Sequence, residues 1–327
     1  MKILVIFTGG TIGSSVNGNY ISPDKSAKYK LIESYKEKYG EDIDFVTKEP
    51  YTILSENLGG VYLTKLIESV REALLEKSKY KVITESAGVF SDNTNDELGG
   101  IIVTHGTDTL QYSAATLSIA LGKTDIPVIL VSANYPLDDE RSNGTNNFIA
   151  AVEYISKVRR GGVYVSYQNT GGFANVFDAG TLLRHDIYSD ELKSLRSVSK
   201  GNCTNSVSAE NRVDNVRATI SLSETSPVKM IIVYPGMSFE IPGEDIKKIL
   251  FVPYHSGTLP TDSPKLLEFC EKMRERNVEM YICGVPEGPQ YETAKLYGEL
   301  GIHVLGRGTD IYWYMKLWID TDMSITD

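Results

Sequence analysis

Two stretches of the chain set small polar residues directly behind apolar runs, and both could carry chemistry. The first is Thr8-Gly9-Gly10-Thr11-Ile12-Gly13, which follows the apolar run 3–7. Glycines let the backbone turn sharply, and a hydroxyl on such a turn is held rigidly at a sheet edge. One chemistry is a phosphate cradle; the other is nucleophilic attack by Thr11. The cradle fits less well, because GxGxxG fails with Thr at position 8 and there is no P-loop lysine. A purely structural strand-to-helix turn would also use Gly and Thr. The second stretch is Thr104-His105-Gly106-Thr107-Asp108-Thr109, behind the run 101–103. Its hydroxyls and carboxylate could bind an ammonium group and position a water. Thr107 and Asp108 could instead be a helix N-cap and a first-turn acid that complements the helix dipole.

Open α/β sheets collect ligands beyond the carboxyl ends of their strands, so these residues need buried strands beneath them. Residues 3–7, 101–103 and 128–131 read as such strands, with 163–165 a weaker candidate. Residues 62–77 and 107–121 have helical spacing; Leu110, Ala114, Leu117 and Leu121 form one apolar face. Residues 148–158 predict a further helix. The stretch 197–215 is polar and turn-rich without periodicity, and reads as exposed loop or linker. Alternation then resumes. Strands are predicted at 230–234, 250–253 and 278–283, and helices at 264–276, 292–300 and from Asp310.

A length of 327 residues suits two domains, since single cores stop growing near about 250–300 residues. The predicted architecture is α/β. A larger parallel-sheet, flavodoxin/Rossmann-like domain occupies 1–200, a linker 201–222, and a smaller α/β domain 223–327.

The 33 Lys+Arg against 43 Asp+Glu leave a net charge of −10. An acidic chain repels phosphate backbones, and the basic clusters at 25–30 and 157–160 are short solvated surface. No nucleic-acid partner is expected. Cys203, Cys270 and Cys283 are odd in number and lack CxxC, which argues against a disulfide framework or structural zinc. His105, His185, His255 and His303 are scattered without HxxxH, so no metal site is expected. His105 follows a buried strand and reads as a buried, hydrogen-bonded packing residue. Met1-Lys2 runs straight into Ile-Leu-Val-Ile-Phe, too short for a signal-peptide core. No apolar run approaches the roughly 20 residues that cross a bilayer. The expectation is a soluble cytoplasmic protein with no membrane partner.

TGGTIG at 8–13 followed by HGTDT at 105–109 resembles the bacterial-type L-asparaginase/glutaminase family. The longer run 104–117 is most similar to the cytoplasmic type I branch. Ser142-Asn143-Gly144-Thr145-Asn146-Asn147 resembles the family's Ser-Asp-Gly-x-x-Asn segment, and Tyr254-His-Ser-Gly-Thr-Leu-Pro its second-domain turn. The resemblance implies an amidohydrolase that converts L-asparagine and water to L-aspartate and ammonia, with no cofactor. It leaves open the preference between asparagine and glutamine. It also implies a homodimer or homotetramer, with sites between the large domain of one protomer and the small domain of its neighbour.

By position, Thr11 resembles the first nucleophile, Tyr20 the lid tyrosine that orients it, and Thr107 the second threonine. Asp108 resembles the acid that binds the substrate amino group. Ser55, Glu56 and Ala133 complete the implied substrate-binding set. Amide hydrolysis needs a nucleophile, a proton acceptor and an oxyanion site, and a threonine hydroxyl is weak unless a neighbour takes its proton. The lid, 13–23, is small, polar and glycine-bearing, as mobile lids are.

Three positions depart from the family pattern. Arg184 stands where its lysine is expected, within Asp178-Ala-Gly-Thr-Leu-Leu-Arg184-His-Asp. Arginine can stabilise negative charge but cannot carry a proton. Lys193 or Lys200 could take that role, and Arg184 could instead be a structural partner of Asp178 or Asp186. Asn134 replaces the usual Gln, with shorter reach. Thr258 replaces a frequent Asn.

Arg184 motivates a rival reading, a catalytically impaired amino-acid-binding or regulatory protein on the same scaffold. A third reading is tRNA-linked amidotransferase work. Such relatives carry a domain before the first motif, which here begins at residue 8, and the charge of −10 speaks against tRNA contact.

Overall fold

Ile3, Val5 and Ile6 are fully buried, as a central parallel strand covered on both faces requires. The computed structural model describes residues 1–10, 12, 14–17, 20–23, 27–40, 42–86, 97–195 and 219–325. For 14–17, 20–23, 27–28, 77–86 and 325 it describes the backbone alone. The chain divides into two compact units, Met1–Thr219 and Ile220–Asp327. The predicted linker lies outside the described residues as far as position 218, as do Cys203 and Lys200.

In chain order the first unit contains β1 (Lys2–Phe7), β2 (Ser14–Asn17), β3 (Tyr20–Pro23), α1 (Ala27–Tyr39), β4 (Asp44–Lys48) and α2 (Gly60–Ser86). It continues with β5 (Leu98–Thr104), α3 (Leu110–Leu121), β6 (Pro127–Val131), α4 (Gly144–Glu153), β7 (Gly162–Gln168) and β8 (Ala174–Asp178). Six strands form one sheet in the order β4-β1-β5-β6-β7-β8. All neighbours are parallel except β7 and β8. Phe7 pairs with Thr104, and Thr104 with Val131. That register brings the turns after β1, β5 and β6 side by side at one sheet edge.

Several elements differ from expectation. The edge strand β4 is half exposed and carries charge at both ends, so it has no buried-strand pattern. Helix α1 is lysine-rich and buries chiefly Leu31, Ile32 and Tyr35. Helix α3 begins at Leu110, and its N-cap is Thr109, so neither Thr107 nor Asp108 caps it. The helix predicted at 148–158 starts earlier, at Gly144, and ends in a π-helical turn, Tyr154–Val158. Left-handed Arg159 stops it. The predicted lid contains a hairpin in which Ser14 pairs with Pro23 and Asn17 with Tyr20.

The second unit contains β9 (Val228–Ile232), β10 (Lys248–Val252), α5 (Pro264–Glu275), β11 (Glu279–Ile282), β12 (Ile302–Val304) and α6 (Asp310–Ile325). Its sheet is parallel throughout, in the order β12-β11-β10-β9. Ile249, Phe251, Phe269, Met273 and Ile282 form the centre of its core. The helix predicted at 292–300 is a short 3-10 turn, Glu292–Leu296, and the three-residue β12 has no counterpart in the sequence reading. Among the described residues no helix is long and apolar enough to cross a membrane.

Candidate active site

The turn after β1 is built on two glycines in the left-handed region, Gly9 at φ 96° and Gly10 at φ 79°. Side chains are excluded there twice over. A Cβ on Gly9 would lie 2.3 Å from the Ile53 carbonyl oxygen, and one on Gly10 would lie 2.3 Å from the Gly106 nitrogen. Ile53 N donates to Thr8 O at 3.1 Å, and Gly10 N donates to Ile53 O at 3.0 Å. The Thr8 hydroxyl donates to Thr104 O at 2.7 Å. These bonds strap the segment 51–55 across the turn and tie the turn to β5.

The strap delivers Ser55. It is buried, and its Oγ lies 2.3 Å from where a Cβ on Gly106 would stand. Its carbonyl accepts the Thr109 hydroxyl at 2.9 Å. Glu56, next on the same 3-10 turn, is exposed. A glycine at 106 therefore lets the turns after β1 and β5 and the Ser55 side chain meet.

His105 fixes that second turn from beneath. It is buried, with Nδ1 2.8 Å from the Gly106 carbonyl oxygen. A carbonyl only accepts, so Nδ1 carries the hydrogen and Nε2 is the acceptor. The Ser113 hydroxyl donates to Nε2 at 2.8 Å. Burial pushes the His105 pKa below the ordinary imidazole range. The sequence reading of a buried, bonded histidine matches this geometry. Ser113 was missed; its only signal was a small polar residue inside an otherwise apolar helix face.

Thr107 is partly buried and donates to the Ala133 carbonyl at 3.3 Å, while Asp108 is exposed. Ser55 packs on Gly106 and Thr107 bonds to Ala133, so the segment after β4 and the turns after β5 and β6 come together, with Asp108 beside Thr107. In the third turn, Asn134 Oδ1 accepts the Tyr135 and Asn143 backbone N–H groups, each at 3.0 Å. Asn143 Oδ1 accepts Asn134 N at 3.0 Å, and its Nδ2 donates to Gln168 O at 2.8 Å. The Asn134 oxygen is thus engaged in closing its own turn.

Thr11 lies outside the described residues, and Tyr20 is described only as backbone in β3. Arg184 is half-buried and follows the 3-10 turn Ala179–Thr181. Asp178 caps that turn by accepting Gly180 N at 3.0 Å. Asp186 pairs with Lys193, which holds the Lys193 pKa up and occupies that candidate substitute for the lysine. Among the described residues no group of three or more His, Cys, Asp or Glu could hold a metal.

In the second unit, the Tyr297 hydroxyl donates to Gly257 O at 2.8 Å and accepts Leu259 N at 3.2 Å. It clamps the turn that contains Thr258, whose carbonyl accepts Tyr254 N at 3.1 Å.

The family model for the asparaginase N-terminal region matches residues 2–205. The chain belongs to the asparaginase family. The asparaginase fold extends over both units. The L-asparaginase from Thermococcus kodakarensis matches with a TM-score of 0.70 at 20% identity, over 98% of this chain and 93% of that one. L-asparaginase I from Vibrio cholerae matches with a TM-score of 0.69 at 19% identity, over 98% and 92%.

Curated relatives carry another name. A glutamyl-tRNA(Gln) amidotransferase subunit of Methanococcus maripaludis is 26% identical over 251 residues, 73% of this chain and 55% of that protein. The amidotransferase subunit of the same name from Methanobrevibacter smithii is 30% identical over 154 residues, 46% of this chain and 30% of that protein. The chain spans about half the length of the first of these and less of the second. These are the tRNA-linked relatives that the charge argument disfavoured.

Proposed function

We propose that the chain hydrolyses L-asparagine to L-aspartate and ammonia through a threonine nucleophile, as a homodimer or homotetramer. One observation carries the reading. The Gly10 and Gly106 turns close on each other with Ser55 between them and Thr107 alongside, in a chain of the asparaginase family. In this reading Thr11 attacks the side-chain amide carbon and forms an acyl ester. The carbon–nitrogen bond breaks, and ammonia leaves with the displaced proton. A water held at Thr107 then releases the acid. The Asp108 carboxylate is exposed and suits the substrate ammonium; Ser55, Glu56 and Ala133 take the remaining substrate contacts. Tyr20 orients the nucleophile, and Arg184 stabilises developing negative charge.

The test is ammonia release from asparagine and from glutamine by the wild type and by Thr11→Ala. Equal rates would overturn the choice of nucleophile. Calorimetric binding of asparagine without turnover, unrescued by Arg184→Lys, would make the protein a binder on this scaffold.

The names of the curated relatives favour a second reading, in which released ammonia feeds a glutamyl-tRNA(Gln) amidotransferase partner. Glutamine turnover that rises on adding such a partner would support it.

A further inference from the structure

We propose that Ser113 is a positioning residue for Thr107, acting through the buried ring of His105. The proposal rests on the amidohydrolase reading above, in which Thr107 holds the hydrolytic water. Ser113 lies on α3, and its side chain and that of His105 are both buried. A serine inside a helix has a local acceptor available, the carbonyl four residues before it. Thr116 on the same helix takes that course and donates to Tyr112 O at 2.8 Å. The Ser113 hydroxyl instead leaves its helix and donates to His105 Nε2 at 2.8 Å.

The ring passes this constraint to the site. His105 Nδ1–H donates to Gly106 O at 2.8 Å, so the Gly106–Thr107 peptide has its oxygen turned toward the imidazole. That peptide is trans, and in a trans peptide the N–H points opposite to the C=O. The Thr107 N–H is therefore directed away from the ring, and it has no acceptor among the described residues. The neighbouring Asp108 carbonyl is held separately, by Gln111 Nε2 from α3 at 3.4 Å.

The tautomer is the point of control. A hydrogen on Nε2 would leave the Nδ1 lone pair facing the Gly106 carbonyl oxygen, two acceptors 2.8 Å apart. A hydroxyl that donates to Nε2 holds the ring in the form that suits Gly106. With that donor gone, a buried ring nitrogen is left unpaired, and the ring gains by turning or by moving its hydrogen. Either change releases the Gly106–Thr107 peptide. Placement of the water depends on that peptide, whereas Asp108, the ammonium partner in this reading, keeps its own anchor. The loss should therefore appear in kcat rather than in KM.

The experiment has two arms on the full chain. In the first, the His105 ring nitrogens and the Thr107 amide are observed by NMR in nitrogen-labelled protein. The wild type should show a hydrogen on Nδ1 that exchanges slowly, and Ser113→Ala should lose the slow exchange and shift the Thr107 amide. Wild-type signals from both groups in Ser113→Ala overturn the proposal. In the second, amide turnover is compared for wild type, Ser113→Ala and Ser113→Cys. Ser113→Ala should lower kcat by roughly 10-fold with KM changed less than about 2-fold. Ser113→Cys keeps a weak donor in nearly the same volume and should fall between the two. A wild-type kcat in Ser113→Ala, even with a lowered melting temperature, would reduce Ser113 to a packing residue and overturn the proposal. If Ser113→Ala does not fold, Ser113→Cys decides both arms by the same signs. Absence of turnover by the wild type with either amide overturns the amidohydrolase reading and the catalytic consequence with it, whereas the NMR arm tests the Ser113–His105–Gly106 relay by itself.

Discussion

Asn134 and Asn143 hold each other. The Oδ1 of each accepts the backbone N–H of the other, both at 3.0 Å. The reciprocal pair closes the turn after β6 onto the residue just before α4. Asn143 Nδ2 adds a bond to Gln168 O at the end of β7. One side-chain pair therefore joins three elements and fixes Ala133, the acceptor of the Thr107 hydroxyl.

Asn143→Ala strands the Asn134 N–H and the Gln168 carbonyl. An unsatisfied buried polar group costs about 1–3 kcal/mol. The urea midpoint should fall by an amount in that range with the slope unchanged. An unmoved midpoint would show that solvent replaces the pair.

Gly10→Ala should be far more damaging than Gly40→Ala. Both residues have positive φ, at 79° and 84°. A Cβ at Gly10 meets Gly106 backbone nitrogen at 2.3 Å, whereas one at Gly40 meets nothing within 4 Å. Gly40→Ala should cost about 1–3 kcal/mol of strain and leave amide turnover unchanged. Gly10→Ala should cost more than this and abolish turnover, because the turn carrying Thr107 must move. Thermal melts and ammonia release on both variants check the contrast.

Stability should fall as pH drops below about 6.5, the ordinary imidazole value. Burial lowers the pKa of both His105 and His185 in the folded chain. In the unfolded chain each takes up a proton near the ordinary value, so unfolding gains protons in this window. Stability is then full above the unfolded pKa and is lost as pH falls, levelling below the folded pKa. One such group changes stability by at most about 1.4 kcal/mol per pH unit. His105→Gln should flatten the slope by up to that amount in urea titrations. The exposed carboxylates with lowered pKa, Asp186 and Glu268, act only at lower pH, where acidification also destabilises. An equal slope in the variant would show that His105 is not neutral in the fold.

Tyr297→Phe should loosen the second-unit turn. It removes the donor to Gly257 O and the acceptor for Leu259 N. Loss of these bonds should destabilise by about 1–3 kcal/mol, seen as a lower midpoint and faster exchange of the Leu259 amide. A protected Leu259 amide in the variant would contradict the clamp.

The amino-acid sequence by itself determined the elements whose signal is local. The buried runs behind β1, β5 and β6, the apolar face of α3, and the two Gly-Thr motifs are all written in neighbouring residues. So is the family that TGGTIG and HGTDT point to. Tertiary structure alone decided what depends on distant partners. β4 and β8 are edge strands that pair on one side only, and they show no buried run in the sequence. Helix α1 looks like a charged stretch because only a narrow face is covered. The joining of Asn134 to Asn143, His105 to Ser113 and Lys193 to Asp186 depends on where each side chain is carried. A residue type states which bonds it can make, but only the packed chain determines which partner arrives within reach.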